Sequence, residues 1–298
     1  MSFTLRLTLA LIVALVAAAV IAPWVGAIVD LLGFRFPFPR IFDRVVMVAL
    51  AAVMIRSARP LKLGARLKTG FSNLSANLGR VVRGFAIAIA AIAAIWIAAT
   101  VIGASGVAVS SKLWIRLPGT VAAALLIAII EETFFRAVLL DGMRDDFGSR
   151  PALILSAAVY AFAHLVRAPA RFQLHGIHPL AGFGVLAASF GQFSDPAAVI
   201  PPLIGLFLLG LVLGEAFLLT GTVYFSLGMH AGFVVGAKSW RYVTAAGGSL
   251  PIWLVGRTRP PLIGGAGAWI IALALLLLIK PIVGKTARTS NRDALTAL

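Results

Sequence analysis

Cysteine is absent from the chain, which excludes disulfides, thiolate nucleophiles and cysteine-ligated metals. Charge is scarce as well: 12% of the 298 residues are Asp, Glu, Lys or Arg, where a soluble domain carries roughly a quarter. Acidic groups are the rarest, ten Asp and Glu against 26 Lys and Arg, for a net charge of +16. Three signatures that would open other chemistries are missing: a His-Glu-x-x-His zinc helix, a glycine-rich phosphate loop and a Gly-x-Ser-x-Gly turn. What is there is hydrocarbon. Hydrophobic residues make up 61% of the chain and mean hydropathy is +1.02, so a soluble fold would leave large apolar patches in water. The composition predicts an all-α, polytopic helical bundle in a membrane. Its basic residues lie between the hydrophobic runs, so the partner they imply is anionic membrane lipid rather than nucleic acid.

Hydrophobic runs predict eight spans, at about 7–32, 45–55, 84–102, 117–140, 151–166, 199–220, 222–237 and 262–279. The first is too long for a cleaved signal, despite the small residues Ala17, Ala18 and Ala19, and reads as a retained helix. The aromatic and proline residues at 34–39 read as a turn at headgroup level. Between Arg56 and Arg83 the chain carries Arg59, Lys62, Arg66, Lys68 and Arg80, interleaved with Leu63, Leu67, Phe71, Leu74, Leu78 and Val82. Apolar spacing of three and four predicts an amphipathic surface helix at about 60–80, basic side towards lipid phosphates. A solvated charge run is the plainer alternative. Either way the positive-inside rule puts this loop in the cytoplasm, and with eight spans both termini as well, in the inner membrane of a bacterial cell. The whole chain, 1–298, reads as one membrane domain. Residues 1–116 hold the first spans and the surface helix, 117–237 a core, and 238–298 the last span and a basic tail.

Two of the three glutamates in the chain, Glu131 and Glu132, stand side by side inside an apolar run, with Arg136 four residues on. An ionisable group in hydrocarbon costs from a few to roughly ten kcal/mol, so it faces a protein interior and usually has a task. On a helix Glu132 and Arg136 lie one turn apart, a natural ion pair. Glu131 is then about 100° round from Glu132 and lacks a local partner. Such a carboxylate has its charged form disfavoured, the condition under which it serves as a general base near neutral pH.

Two further runs carry polar stripes of period four: Ser156, Tyr160 and His164, and Thr222, Ser226 and His230. At about 1.5 Å per residue, Glu131 lies roughly 15 Å from Asp141, His230 roughly 12 Å from Thr222 and His164 roughly 20 Å from Pro151. All three are thus predicted to reach one cavity near the membrane centre. Each histidine alone reads equally well as a side chain satisfied by a serine or a backbone carbonyl. Glu215 lies near a turn and reads as a snorkelling or salt-bridged group. Gly210 and Gly214 read as a close-packing surface. His175 and His178, in a proline- and glycine-bounded loop, read as surface residues without an evident third metal ligand.

Glu131-Glu132-x-x-x-Arg136, then His164 in a helix of small residues, then Thr220-Gly221-Thr222 leading to Gly228-Met229-His230-Ala231-Gly232, resembles the CPBP family. These are the CAAX-processing and bacteriocin-processing intramembrane endopeptidases, also called Abi proteins. The resemblance spans roughly 117–237. It implies hydrolysis of a peptide bond within the membrane: Glu131 activates water, Glu132 and Arg136 support it, and His164 and His230 hold the water or stabilise the oxyanion. Two positions depart from the family. Tyr160 stands where Phe is frequent, and Val234 stands one turn after His230 where Asn is frequent. A valine donates no hydrogen bond, and losing such a donor costs on the order of a hundredfold in rate. Two histidines and a glutamate also match a three-ligand zinc site, but a carboxylate that binds metal is a poor base, and the reading needs no cofactor. The alternatives are a catalytically weak or inactive membrane scaffold or chaperone of the same fold and, behind it, a proton-coupled transporter. The implied partners are membrane lipid and a peptide or protein substrate, lipidated or not.

Overall fold

The structure is a computed structural model that describes residues 1–103, 106–168, 178–244, 252–256 and 262–296, with side chains as far as residue 284. It is all-helical: among the described residues the only strand-like pairing is one isolated bridge, Val107 with Thr244. In chain order the helices are α1 (Phe3–Leu31), α2 (Phe38–Arg56), α3 (Leu63–Gly70), α4 (Leu74–Val101), α5 (Lys112–Glu132), α6 (Asp141–Phe147), α7 (Ser149–Leu165), α8 (Ala181–Ala188), α9 (Pro196–Thr220), α10 (Tyr224–Ser239), α11 (Ile252–Val255) and α12 (Ala266–Thr296). A π-helical segment, Thr133–Leu140, joins α5 to α6 without a break.

Among the described residues five helices are long and apolar enough to cross a membrane: Phe3–Leu31, Leu74–Val101, Lys112–Phe147, Pro196–Thr220 and Ala266–Gly284. The chain is a multi-pass membrane protein, and the predicted count of eight is not reproduced. The shortfall has physical causes. Residues predicted as the second span form α2, which carries Arg40, Asp43, Arg44 and Arg56, while α7 and α10 have only 17 and 16 residues. At 1.5 Å per residue they fall short of the roughly 20 needed to cross alone.

The helices form two compact units, Met1–Gly64 with Phe162–Val199, and Ala65–Ala161 with Ile200–Leu298. In the first, α1, α2 and α8 share a core of Ala19, Ala22, Phe38, Ile41, Phe42, Ala181 and Val185. Pro23 inside α1 has no N–H to give the carbonyl of Ala19. That freed oxygen is where Gly182 of α8 packs, so closely that any Cβ would collide with it.

In the second unit α10 is the enclosed element: every residue from Tyr224 to Gly232 is buried. Small residues make this possible. A Cβ on Gly228 would strike the Val81 carbonyl, one on Gly232 the Phe85 carbonyl, and one on Gly84 of α4 the Phe225 carbonyl. The backbones of α4 and α10 therefore touch along two turns. On its other side α10 packs Leu227, Ala231 and Val235 against Ala124 and Ala128 of α5. The α9–α10 connection turns on Gly221, whose φ of +68° is left-handed. As predicted from their spacing, Gly210 and Gly214 admit close packing, against Ala157 and Leu153 of α7.

The surface helix predicted at 60–80 is interrupted. It ends at Gly70, and Asn73, left-handed at φ 51°, starts a new helix that is already the span α4. The broken carbonyls are taken up elsewhere: Val223 N–H donates to Gly70 O (3.0 Å), the Tyr224 hydroxyl to Phe71 O (2.8 Å) and Asn77 Nδ2 to Asn73 O (2.8 Å). Arg66, predicted to face lipid phosphates, is buried instead and donates to Asp141 and Asp145 of α6.

Candidate functional site

Two adjacent glutamates and an arginine of the second unit lie where α5 passes into the π-helical segment. Glu131 and Glu132 end α5, and the wider i to i+5 turn begins at Thr133 and is closed by Asp141 N–H donating to Arg136 O. Segments of this kind are rare and are frequently found at functional sites. The wider turn also rises less per residue, so Glu131 is nearer Asp141 along the axis than an α-helical count gives.

Glu132 and Arg136 meet as their spacing predicts, Nη1 to Oε1 at 3.2 Å, and both are buried. The Arg136 guanidinium lies over the Tyr160 ring, 4.6 Å from its centroid, and 5.8 Å from that of Phe135. Phe135 and Tyr160 meet edge to face at 5.0 Å, and Tyr160 meets His230 likewise at 6.3 Å. A cation enclosed by one carboxylate and two aromatic faces is stabilised by both.

His230, on the enclosed helix α10, stands between the two glutamates. Its Nδ1 lies 2.9 Å from Glu132 Oε1 and its Nε2 lies 3.7 Å from Glu131 Oε2. A carboxylate accepts only, so Nδ1 carries the hydrogen and donates it to Glu132, which leaves Nε2 on the Glu131 side. At 3.7 Å this second contact is longer than a hydrogen bond. Burial separates the two acids: the Glu132 side chain is 0% exposed and that of Glu131 24%. Ser226, one turn before His230, donates to Val223 O at 3.0 Å and also stands within reach of Glu132.

The other sequence candidates are distributed as follows. His164 is half-buried on the last turn of α7 and falls in the first unit. Val234 packs into the apolar cluster that α10 forms with α5. Ser156 satisfies itself on Leu153 O at 3.1 Å. Glu215 is salt-bridged to Arg150 at 3.1 Å, one of the two readings its position gave it. His178 is exposed, and His175 lies outside the described residues. Three features escaped the sequence reading. The direct bond from His230 to Glu132 and the Tyr160 lid on Arg136 depend on tertiary packing. Arg66 was legible, because it lies at the i+3 position of the stripe Leu63, Leu67, Gly70 and so on its inward side.

A multi-pass helical membrane protein with two adjacent glutamates, an arginine and a histidine clustered in its interior is the class that fold and site define. Residues 112–236 match the family model described as Type II CAAX prenyl endopeptidase Rce1-like. That segment begins with α5 and ends inside α10, so it contains every residue of the cluster, and the match is consistent with the CPBP family and with a protease kind of enzyme. No curated protein and no solved structure matches the chain.

Proposed function

We propose that the protein is an intramembrane endopeptidase that hydrolyses a peptide bond in a membrane-associated or lipidated peptide, with Glu131 as its general base. The observation that carries this reading is His230 held between a sealed glutamate and an accessible one. Only an accessible carboxylate meets water, so Glu131 is the chemical group and Glu132 the anchor. Glu131 takes a proton from water as the oxygen attacks the peptide carbonyl. It returns that proton to the amine when the C–N bond breaks. His230, fixed through Nδ1 by Glu132, presents Nε2 to the same water, and Arg136 holds Glu132 in place. The resemblance to the CPBP family, rather than a contact within the second unit, assigns the oxyanion to His164.

The reaction proposed uses no metal. Among the described residues no group of three His, Asp or Glu side chains is placed to hold a metal ion, and Glu132 already serves Arg136 and His230. A three-ligand zinc centre would take Glu131 or Glu132 away from the roles assigned to them here. Cleavage by the detergent-solubilised protein is therefore expected to survive a strong chelator; loss on chelation with rescue by zinc would reverse the assignment.

The packing of Val234 against α5 favours a second reading, a scaffold of the same fold that has lost turnover. One comparison separates the two. Membrane peptides from cells carrying wild-type protein and Glu131→Gln are compared by mass spectrometry. Endopeptidase activity predicts uncut peptides that accumulate only in the variant, at equal membrane levels of protein; a scaffold leaves the two peptide sets alike.

A further inference from the structure

The first unit contains a groove that the chemistry above does not use. It has a volume of about 500 Å³ and lies between the first turns of α1 and the last turn of α2, which run antiparallel: Gly26 meets Phe38 at the far end. Leu9 and Val13 of α1 and Ala52 and Val53 of α2 line its length, and Arg6 and Arg56 stand at one end. Arg6 gives one N–H to the Pro60 carbonyl at 3.0 Å. Among the described residues neither arginine pairs with a carboxylate. The α1 wall is open: Leu9 and Val13 are both exposed on a helix long and apolar enough to span a bilayer.

Two guanidinium groups without a carboxylate partner among the described residues, at the end of an apolar channel, are complementary to an amphiphile with an anionic head. From Arg6 to Val13 is about 10 Å along the helix, enough for the upper part of an acyl chain. A free anion would leave the apolar length unfilled, and a neutral chain would leave the arginines without a counter-charge. We propose that this groove is a phospholipid site, selective for an anionic headgroup held by Arg6 and Arg56 with one acyl chain along Leu9, Val13, Ala52 and Val53. The site differs from the general attraction of basic loops for acidic bilayers because it binds one lipid in one place. It does not depend on the endopeptidase reading.

The test is native mass spectrometry of the purified protein, released from detergent after exposure to equal amounts of phosphatidylglycerol and phosphatidylcholine with identical chains. Wild-type protein is expected to retain one phosphatidylglycerol with about tenfold preference. Arg6→Gln with Arg56→Gln should abolish the preference, and Ala52→Trp, which fills the channel, should lower retention of both lipids. Arg59→Gln with Lys62→Gln, basic positions outside the lining, should change neither. Inorganic phosphate at millimolar concentration should not displace the lipid. Because Arg6 also bonds Pro60, Arg56→Gln alone serves if the double variant fails to fold, with a partial loss expected. Equal retention of the two lipids by wild-type protein, retention unaffected by Arg56→Gln and Ala52→Trp, equal loss in the Arg59/Lys62 control, or displacement by phosphate would each overturn the proposal.

Discussion

Glu132 shows how one residue's role follows from what surrounds it. It is sealed from solvent, faces Arg136 at 3.2 Å and accepts from His230 at 2.9 Å. Breaking a buried pair leaves an uncompensated charge and costs about 3–5 kcal/mol. Arg136→Met should therefore lower the thermal midpoint in detergent strongly, while Arg136→Met combined with Glu132→Gln should recover much of the loss. Additive destabilisation in the double variant would show that the two residues do not act as a pair. Val234 yields a prediction of opposite chemistry. Because it packs into the cluster with Ala124, Ala128 and Ala231, Val234→Asn buries an amide among methyl groups. The expected cost is about 1–3 kcal/mol, read as a lower midpoint. The Glu132–Arg136 pair was legible in the sequence because four residues on a helix is a local distance. The partner of His230 was not, since Glu132 and His230 are 98 residues apart and only tertiary packing brings them together.

At the scale of elements, α10 is held by shape more than by hydrophobicity. Its glycines let the α4 backbone approach where a side chain would collide with a carbonyl, which is rigid and cannot give way. Gly228→Val should destabilise the second unit by about 1–3 kcal/mol or more through overpacking, whereas Gly64→Ala, where nothing lies within 4 Å of an added Cβ, should be silent; thermal unfolding of the two variants side by side checks this. Helix positions were largely readable from the hydrophobic runs and from Gly and Pro punctuation. The π-helical segment was not, because no residue type in Thr133–Leu140 marks an i to i+5 bond. The surface helix at 60–80 was misread for a similar reason. Its apolar spacing runs unbroken through Phe71 and Leu74, and the kink at Asn73 is fixed by bonds to Val223 and Tyr224 far along the chain.

For the whole molecule the absence of cysteine is an experimental advantage, because any introduced thiol is unique. The orientation argued from the basic loop, with both termini cytoplasmic, remains a proposal with a direct check. Ser111→Cys, ahead of α5, should react with an impermeant maleimide in intact cells. Ser290→Cys should react only after the membrane is opened. If Ser111→Cys reacts only after the membrane is opened, the amino-terminal basic loop does not govern the topology. Among the described residues five helices suffice by length and composition; with the basic loop inside, the amino terminus lies outside if α2 does not cross and inside if it does, so Ser2→Cys labelled in the same way decides whether α2 crosses.

The burial of α10 has a consequence in time. Glu132 enters the membrane 98 residues before His230 is made, and at ordinary synthesis rates that gap lasts on the order of ten seconds. Throughout it the growing polypeptide carries its acids without their imidazole, so under the endopeptidase reading proposed above a half-synthesised copy should cut none of the nascent membrane proteins that share its translocon.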